Sequence, residues 1–319
     1  MGTLEVTVKL PAARGRVDVR ELLAFGAIYF LWGATFLAIR IAVLEIPPFF
    51  TAGLRFFVAG SFLYGVLRLR GEPAPSAAQW RGIAIIASAM FVVTYGALFW
   101  ATQFVPSSVV ALLEATLPII AMVLEVFVFR RQPFRWPMLG AVALGFAGIA
   151  LLLWKSGGGG QPGAHVGQSF GVFPCVVILC ASVAWTLGAV LTRSMALPRS
   201  VPLTAGAEMM LGGAVLLAIS LLAGELHPFP HISLHAGLAV LYLIVGGSLV
   251  AFTSYVWLLA RMPATRVASH AYVNPVVAVA LGHFVAGEEV TSRMLFASVL
   301  VVASVFLILK PPSVTEPAN

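Results

Sequence analysis

Charged residues are scarce in this sequence. Asp, Glu, Lys and Arg make up 10% of the 319 residues, against about 25% in a typical soluble domain. Apolar residues make up 60%, and the mean hydropathy is +1.00. A soluble domain of this composition would leave much of its apolar surface in water. The sequence therefore predicts an integral membrane protein.

Cysteine is also nearly absent, and catalytic motifs are missing. The two cysteines, Cys175 and Cys180, lie five residues apart in one apolar segment, too far apart on a helix to form a disulfide. His227, His231 and His235 are four residues apart, but two prolines among them oppose a helix that would group them on a metal. No catalytic triad at membrane depth and no nucleotide-binding loop are present. The sequence predicts neither an enzyme nor a cofactor or metal.

The formal net charge of +7 raises the question of a nucleic-acid partner. Nucleic-acid binding domains carry a basic stripe with interleaved aromatic residues, and this sequence has none. Loop charge next to a membrane explains the excess better, so the expected partners are membrane lipid and a small-molecule substrate.

Ten apolar stretches are long enough to cross about 30 Å of hydrocarbon as helices. The fifth and the tenth are the shortest. The predicted spans are 22–42, 49–69, 82–104, 107–129, 138–154, 172–191, 204–224, 237–259, 266–285 and 294–309.

The distribution of Lys and Arg predicts the orientation. With a cytoplasmic N-terminus, fifteen of the nineteen basic residues fall in cytoplasmic segments, and only Arg40, Lys155 and Arg293 fall outside, while Arg55 lies within a span. Because basic residues accumulate in cytoplasmic loops, we expect both termini, the tails 1–21 and 310–319, to be cytoplasmic. The glycine-rich segment 155–171 is then an external linker.

The two halves of the chain repeat each other. Residues 32–60 align with 185–213 at an offset of 153, which matches Trp32 with Trp185 and Gly60 with Gly213, and an offset of 157 aligns residues 100–128 with 257–285. Each half, 22–154 and 172–309, contains five spans. Because five is odd, the halves must cross the membrane in opposite senses, which is the inverted repeat of many secondary transporters.

Three motifs resemble a known family. The run YFLWGATF at 29–36, the run ASHAYVNPVVA at 268–278 and the pair Gly287-Glu288 are similar to those of EamA-type members of the drug/metabolite transporter superfamily. Arg130-Arg131 stands where the first half would carry Gly-Glu. The resemblance implies a proton-motive-force-dependent exporter of small metabolites, often amino acids or amphiphilic compounds, in the bacterial inner membrane.

Ionisable residues at membrane depth are the first site candidates, because a buried charge needs a partner or a watery cavity. Arg55 and Glu114 lie at similar depth, roughly 10 Å below the outer surface at 1.5 Å per residue, and Glu208 and His270 lie near the inner surface. We predict an outer Arg55–Glu114 pair and an inner Glu208–His270 pair, within salt-bridge distance or sharing a cavity. The alternatives are an ion pair that fixes helix packing and side chains that extend to the interface.

Pro118 and Pro275 occupy matched positions in the fourth and ninth spans. Proline lacks an amide hydrogen and so frees a carbonyl four residues earlier, which predicts kinks and hinges that face a cavity, or kinks accommodated by packing alone. Tyr272 and Asn274 lie beside the second proline and offer hydrogen bonds to a substrate.

Aromatic side chains complete the candidates. Such rings wall pockets for amphiphilic or cationic substrates, although interfacial belts and helix packing also use them. The candidates are Trp32, Trp185, Trp100, Trp257, Tyr95 and Tyr255.

The sequence thus predicts an all-α secondary transporter of ten spans in two inverted EamA repeats. It would export small metabolites by alternating access coupled to protons. An uptake carrier or exchanger on the same fold is the alternative, and a non-transporting scaffold has no need of ionisable groups in matched helices.

Overall fold

The computed structural model describes residues 18–130, 136–154, 171–192, 194–228, 230–259, 261–262, 267 and 269–309. Over these residues the chain is helical and contains no strand. Most of the predicted tails and linker, together with Arg131, Arg193 and Arg266, lie outside the described residues.

Ten long helices form the described part, and each falls on one predicted span. In chain order they are α1 Val19–Val43, α2 Pro48–Leu69, α3 Ala77–Thr102, α4 Ser107–Val128, α5 Trp136–Leu153, α6 Val172–Leu191, α7 Val201–Leu222, α8 Leu234–Leu258, α9 His270–Ala286 and α10 Ser292–Leu309.

Seven of these helices are long and apolar enough to cross a membrane: α1 to α4 and α6 to α8. The other three contain shorter apolar stretches, Leu139–Leu153, His270–Ala286 and Ser292–Leu307. The predicted all-helical membrane fold is therefore confirmed. Ten crossings and cytoplasmic termini remain predictions.

Helix ends follow the local sequence. At the start of α3, Ser76 Oγ accepts a hydrogen bond from Gln79 N–H at 3.3 Å, and the Gln79 side chain accepts one from Ser76 N–H at 2.8 Å, a reciprocal cap that satisfies two free helical amides. Gly71, Gly224 and Gly287 follow the ends of α2, α7 and α9 with positive φ, a backbone conformation that glycine adopts without steric strain.

Four helices contain a π-helical segment. These segments are Ala27–Leu31 in α1, Ser88–Val93 in α3, Leu124–Val128 in α4 and Leu243–Val250 in α8. A π turn disturbs the regular pattern of backbone hydrogen bonds and leaves carbonyls available to side chains, and such turns are frequent at functional sites.

Helices α2 and α7 cross antiparallel at their glycines. A Cβ on Gly60 would lie 2.8 Å from the Gly206 carbonyl oxygen, and one on Gly53 would lie 3.1 Å from the Gly213 carbonyl oxygen. The offset of 153 maps Gly53 to Gly206 and Gly60 to Gly213, so each contact maps onto the other. The crossing therefore has the two-fold form that an inverted repeat requires.

Helices α5 and α10 pack against each other. Ser304 Oγ of α10 donates to the Ala141 carbonyl of α5 at 2.6 Å, and a Cβ on Gly148 would lie 2.9 Å from Val301. Gly145 approaches Ile119 of α4. This pair contributes no charged side chain to the candidate site described next.

Candidate functional site

Arg55 is buried in the bundle, with 4% of its surface exposed. Its Nε donates a hydrogen bond to Ser248 Oγ of α8 at 2.8 Å, while its Nη1 is buried and has no hydrogen-bond partner among the described residues. The guanidinium carbon lies 5.6 Å from the ring centroid of Tyr95. Tyr95 and Tyr242 are within electrostatic range of the charge. Arg55 is thus a desolvated cation surrounded by hydroxyls and rings.

A cluster of aromatic rings lies beside Arg55. Tyr95 packs edge-on against Trp185 of α6 with centroids 5.8 Å apart, and Phe91 lies 6.4 Å from the same indole. Phe56 lies 4.4 Å from Tyr95. We call Arg55, Tyr95, Trp185 and Ser248 the Arg55 cluster.

Glu114 adjoins the Arg55 cluster but does not touch Arg55. Its Oε1 accepts a hydrogen bond from Ser182 Oγ of α6 at 2.7 Å, one helical turn from Trp185. Tyr95 is within electrostatic range of both Glu114 and Arg55. The two charges therefore share one region, as their depth predicted, but the predicted salt bridge is not formed because the side chains turn to different helices.

The predicted inner pair is not formed either. Glu208 is 7% exposed, and its Oε1 has no hydrogen-bond partner within the described part of the chain. His270 instead packs edge-on against Trp32 at 5.1 Å and against Tyr255 at 5.9 Å. We call Trp32, Tyr255 and His270 the His270 cluster. For both pairs, a shared cavity remains a prediction.

Trp32 and Asn274, which were expected to face a substrate, instead bind backbone carbonyls at the π turns, and Tyr242 does the same. Trp32 Nε1 donates to the Gly247 carbonyl at 2.9 Å, and Tyr242 Oη donates to the Leu31 carbonyl at 2.8 Å. Hydrogen-bond geometry places the Asn274 amide nitrogen 3.1 Å from the carbonyl oxygens of Ile28 and Tyr29. These bonds tie α1 to α8 and α9.

Three further candidates have other partners. Trp100 packs against Phe104 and Phe173, and Trp257 stacks under Arg261 with 4.0 Å between guanidinium carbon and ring centroid. Tyr272 donates its hydroxyl to the Val305 carbonyl of α10 at 3.0 Å.

The two prolines differ in their surroundings. Helix α4 is interrupted at Ala115–Thr116, and Pro118 lies in the first turn of the helix that resumes at Leu117, where a missing amide hydrogen is harmless. Pro275 lies inside the continuous helix α9. The two matched prolines therefore produce one break and one uninterrupted helix, and their action as hinges stays a prediction.

Three carboxylates cap helices of the opposite half at one end of the bundle. Glu288 accepts four hydrogen bonds at the start of α4, from the backbone amides and hydroxyls of Ser107 and Ser108, at 2.6–3.0 Å. Glu225 accepts from the amides of Phe49 and Phe50 at the start of α2, at 3.3 and 2.9 Å. We call this end, where α1, α7 and α9 finish, the capped face.

The third cap is Glu45, which follows α1. Its carboxylate accepts from Ser233 N–H and Oγ–H at 2.8 Å each, at the start of α8. The backbone hydrogen bond from Ser233, and then the hydroxyl bond, lower the pKa of Glu45 below its usual 4.5, because both favour the charged form. The sequence marked Glu288 only through the family motif, and Glu45 and Glu225 were missed, although the offset of 153 matches Glu225 with Glu72.

Two apolar grooves of about 400 and 620 Å³ lie between α9 and α10. They share Val276, Ser298 and Val302, and the Arg55 and His270 clusters do not line them. The Ser182 and Ser248 partners of the buried charges were also missed. Each is one of two or more hydroxyl residues in its apolar span, so the sequence carries no signal that singles it out.

The comparisons with known proteins agree with this architecture. The model of the EamA-like transporter family matches residues 20–154 and 172–310. The chain is 35% identical over 289 residues to the inner membrane transporter YedA of Escherichia coli K12, covering 89% of each chain. It is 22% identical to the transporter YoaV of Bacillus subtilis, covering 91% of this chain and 96% of that one. A solved structure with 20% identity superposes with a TM-score of 0.62 over 91% of this chain and 97% of the other, which shows a shared fold.

Proposed function

We propose that this chain, which belongs to the EamA-like transporter family and is a membrane transporter, exports small metabolites such as amino acids or amphiphilic compounds across the inner membrane. Transport would proceed by alternating access between two inverted five-helix repeats, with protons as the coupling ion. The Arg55 cluster supports this proposal best, because it places a desolvated charge and aromatic walls where helices from both halves meet.

Alternating access is supported by two glycine turns with the same geometry. After α2, Glu72 N–H donates to the Leu67 carbonyl at 3.1 Å, and after α7, Glu225 N–H donates to the Ser220 carbonyl at 3.1 Å. These residues correspond at the offset of 153. Glu225 caps α2, whereas the Glu72 carboxylate makes no hydrogen bond within the described part of the chain.

In an inverted repeat, equivalent residues of the two halves are expected to make different contacts in any one state. The two states of alternating access then exchange the roles of the halves. In the opposite conformation we propose that Glu72 caps α7 at Leu203, the counterpart of Phe50, and that Glu225 releases α2. Pro202 replaces Phe49 in this comparison and has no amide hydrogen. Glu72 would therefore make one cap hydrogen bond where Glu225 makes two.

Substitution of the two glutamates should shift this equilibrium in opposite directions. We expect Glu225→Gln to increase amide hydrogen exchange at the start of α2 and to decrease it at the start of α7, because the capped face loses its charge-assisted hydrogen bonds. Glu72→Gln should produce the reverse. Mass-spectrometric hydrogen exchange of the purified protein measures the exchange rates at the starts of α2 and α7 in both variants. An unchanged exchange profile in Glu72→Gln would remove Glu72 from the mechanism.

Proton coupling predicts that an inward proton gradient accelerates efflux from proteoliposomes. The substrate is first identified by metabolite profiling of overexpressing cells and medium. We propose Glu114 as the proton-carrying group, because a carboxyl can take up a proton where the buried Arg55 cannot, and His270 as the second candidate. Glu114→Gln should abolish the response to the gradient and retain exchange of labelled for unlabelled substrate.

The control for this experiment is Glu289→Gln, an exposed carboxylate next to Glu288, which should respond to the gradient like the wild type. Equal wild-type rates with and without the gradient would reject proton coupling in favour of an exchanger or facilitator. Net uptake under the same gradient would favour the uptake carrier.

A further inference from the structure

Arg55 is a buried cation for which the described residues provide no counter-charge. One of its terminal nitrogens, Nη1, is buried and has no hydrogen-bond partner in the part of the chain that the structure describes, where the phenols of Tyr95 and Tyr242 are within electrostatic range of the guanidinium. Removing a guanidinium from water is unfavourable unless its charge and its donors are satisfied. An arginine without a counter-charge in this position indicates a partner that binds reversibly.

Neither Glu114 nor Glu208 provides the counter-charge to Arg55. Glu114 is held by Ser182 Oγ at 2.7 Å, and Glu208 lies on α7, whose glycines pack against the face of α2 that bears Gly53 and Gly60. Arg55 follows Gly53 by two residues, which places its side chain about 200° around the helix axis from Gly53. Arg55 therefore points away from α7, toward Ser248 of α8.

The guanidinium is held in place for recognition. Its Nε is bound to Ser248 Oγ at 2.8 Å, and Gly247 packs closely beside it, since a Cβ there would lie 3.1 Å from Nη2. A fixed guanidinium presents parallel N–H donors that match the two oxygens of a carboxylate.

The aromatic side chains beside Arg55 indicate which chemical group the remainder of the ligand carries. Tyr95 and Trp185 stand at 89° with centroids 5.8 Å apart, and Phe91 continues the same surface. Edge and face contacts of this kind favour an apolar or aromatic group. A cationic substrate would instead meet the unpaired positive charge of Arg55, and like charges in a desolvated site repel strongly.

We infer that the substrate is an organic carboxylate, whose carboxylate pairs with Arg55 and whose apolar or aromatic body lies against Tyr95 and Trp185. This inference rests on the proposed function and names its substrate class. The substrate supplies the missing counter-charge, so the pair forms when the site is loaded and breaks when the substrate leaves.

Three probes that differ only in their head group test the inference. The purified full-length protein is titrated with 3-phenylpropanoate, its neutral amide 3-phenylpropanamide and the cation 3-phenylpropylamine, followed by tryptophan fluorescence and by the thermal unfolding midpoint. Benzoate and 5-phenylpentanoate, with their amides, cover shorter and longer bodies. We expect the best carboxylate to bind at least about tenfold tighter than its amide, equivalent to about 1.4 kcal/mol, and the amine to bind weakest.

Variants then assign the preference to Arg55. Arg55→Gln should bind carboxylate and amide equally, and Arg55→Lys should retain charge without the paired donors and keep part of the preference. Ser248→Ala removes the hydrogen bond that orients the guanidinium and should lower the preference severalfold. This third variant carries the test if Arg55→Gln fails to fold. Gly65→Ala, at an open position of α2, is the matched control and should leave the preference unchanged.

The outcomes separate this inference from the proposed function. Failure of every carboxylate to bind tighter than its amide, tightest binding of the amine, or an unchanged preference in both Arg55→Gln and Ser248→Ala would overturn it. A carboxylate that binds through Arg55 but is never transported would instead contradict export and leave the site assignment intact. A transported cationic substrate would uphold transport and reject the carboxylate.

Discussion

Gly60→Ala should strongly destabilise the protein, because this glycine lies where α2 and α7 approach most closely. A Cβ at position 60 would be 2.3 Å from the Met210 backbone nitrogen and 2.8 Å from the Gly206 carbonyl oxygen. Both are main-chain atoms that cannot turn aside, so the helices must separate. We expect a loss of about 3 kcal/mol in unfolding free energy, at the upper end of typical overpacking penalties.

Two further variants test whether the crossing is symmetric. Gly213→Ala, its counterpart at the offset of 153, would place a Cβ 2.3 Å from the Phe57 backbone nitrogen and should be as damaging. Gly65→Ala meets no atom within 4 Å and should be neutral or stabilising by up to about 1 kcal/mol, since alanine favours helix. Denaturant unfolding of the purified protein measures all three. Similar stabilities for Gly60→Ala and Gly65→Ala would rule out close packing at the crossing.

Glu288→Ala should also have a large effect, by leaving four donors at the start of α4 without their acceptor. Ser107 and Ser108 are fully buried and each contributes an amide and a hydroxyl to the Glu288 carboxylate. A buried donor without a partner costs about 1–3 kcal/mol. Even if the two hydroxyls find other acceptors, two amides stay unpaired, so we expect at least about 2 kcal/mol of destabilisation, together with faster hydrogen exchange in the first turn of α4.

Glu288→Gln separates charge from shape. Its carbonyl oxygen replaces one acceptor, while its NH₂ group faces amide and hydroxyl donors, so an intermediate loss is expected. Glu289→Gln, on the exposed neighbour, should change stability by less than about 0.5 kcal/mol. If Glu288→Ala unfolds like Glu289→Gln, the cap does not stabilise this end of the bundle.

The Glu288 cap on α4 also explains why positions 287 and 282 are glycines. Gly287 has φ +66 and turns the chain after α9, which brings the carboxylate back toward the bundle. A Cβ on Gly282 would lie 2.6 Å from Glu288 Oε2, so the absence of a side chain there makes space for the cap. In the repeat alignment, Arg130-Arg131 occupies the corresponding place, and Arg131 lies outside the described residues. The first half therefore has no carboxylate at the position that corresponds to Glu288.

Hydropathy alone located the helices, because a helix that crosses hydrocarbon must be apolar along its whole length and polar at its ends. The predicted span 172–191 and helix α6 have the same bounds, and 49–69 differs from α2 by one residue. The constant offset of 153 likewise anticipated which glycines of α2 and α7 are equivalent. Such features depend on composition and spacing, which the sequence contains directly.

The partners of the buried charges were decided only by tertiary structure. Depth placed Arg55 and Glu114 at the same level, and the structure places both near Tyr95. However, depth does not specify the rotation of a helix about its axis. The rotations found here direct Arg55 to Ser248 and Glu114 to Ser182, each one of two or more hydroxyl residues in its apolar span.

The sequence by itself determined the membrane class, the helical spans, the repeat and the family, since each follows from a pattern along the chain. Tertiary structure decided which carboxylates cap helices, which rings border Arg55, and that Trp32 and Asn274 bind π-turn carbonyls. These contacts join residues far apart in sequence, and their geometry arises only when the glycines at the crossing set how closely α2 and α7 pack.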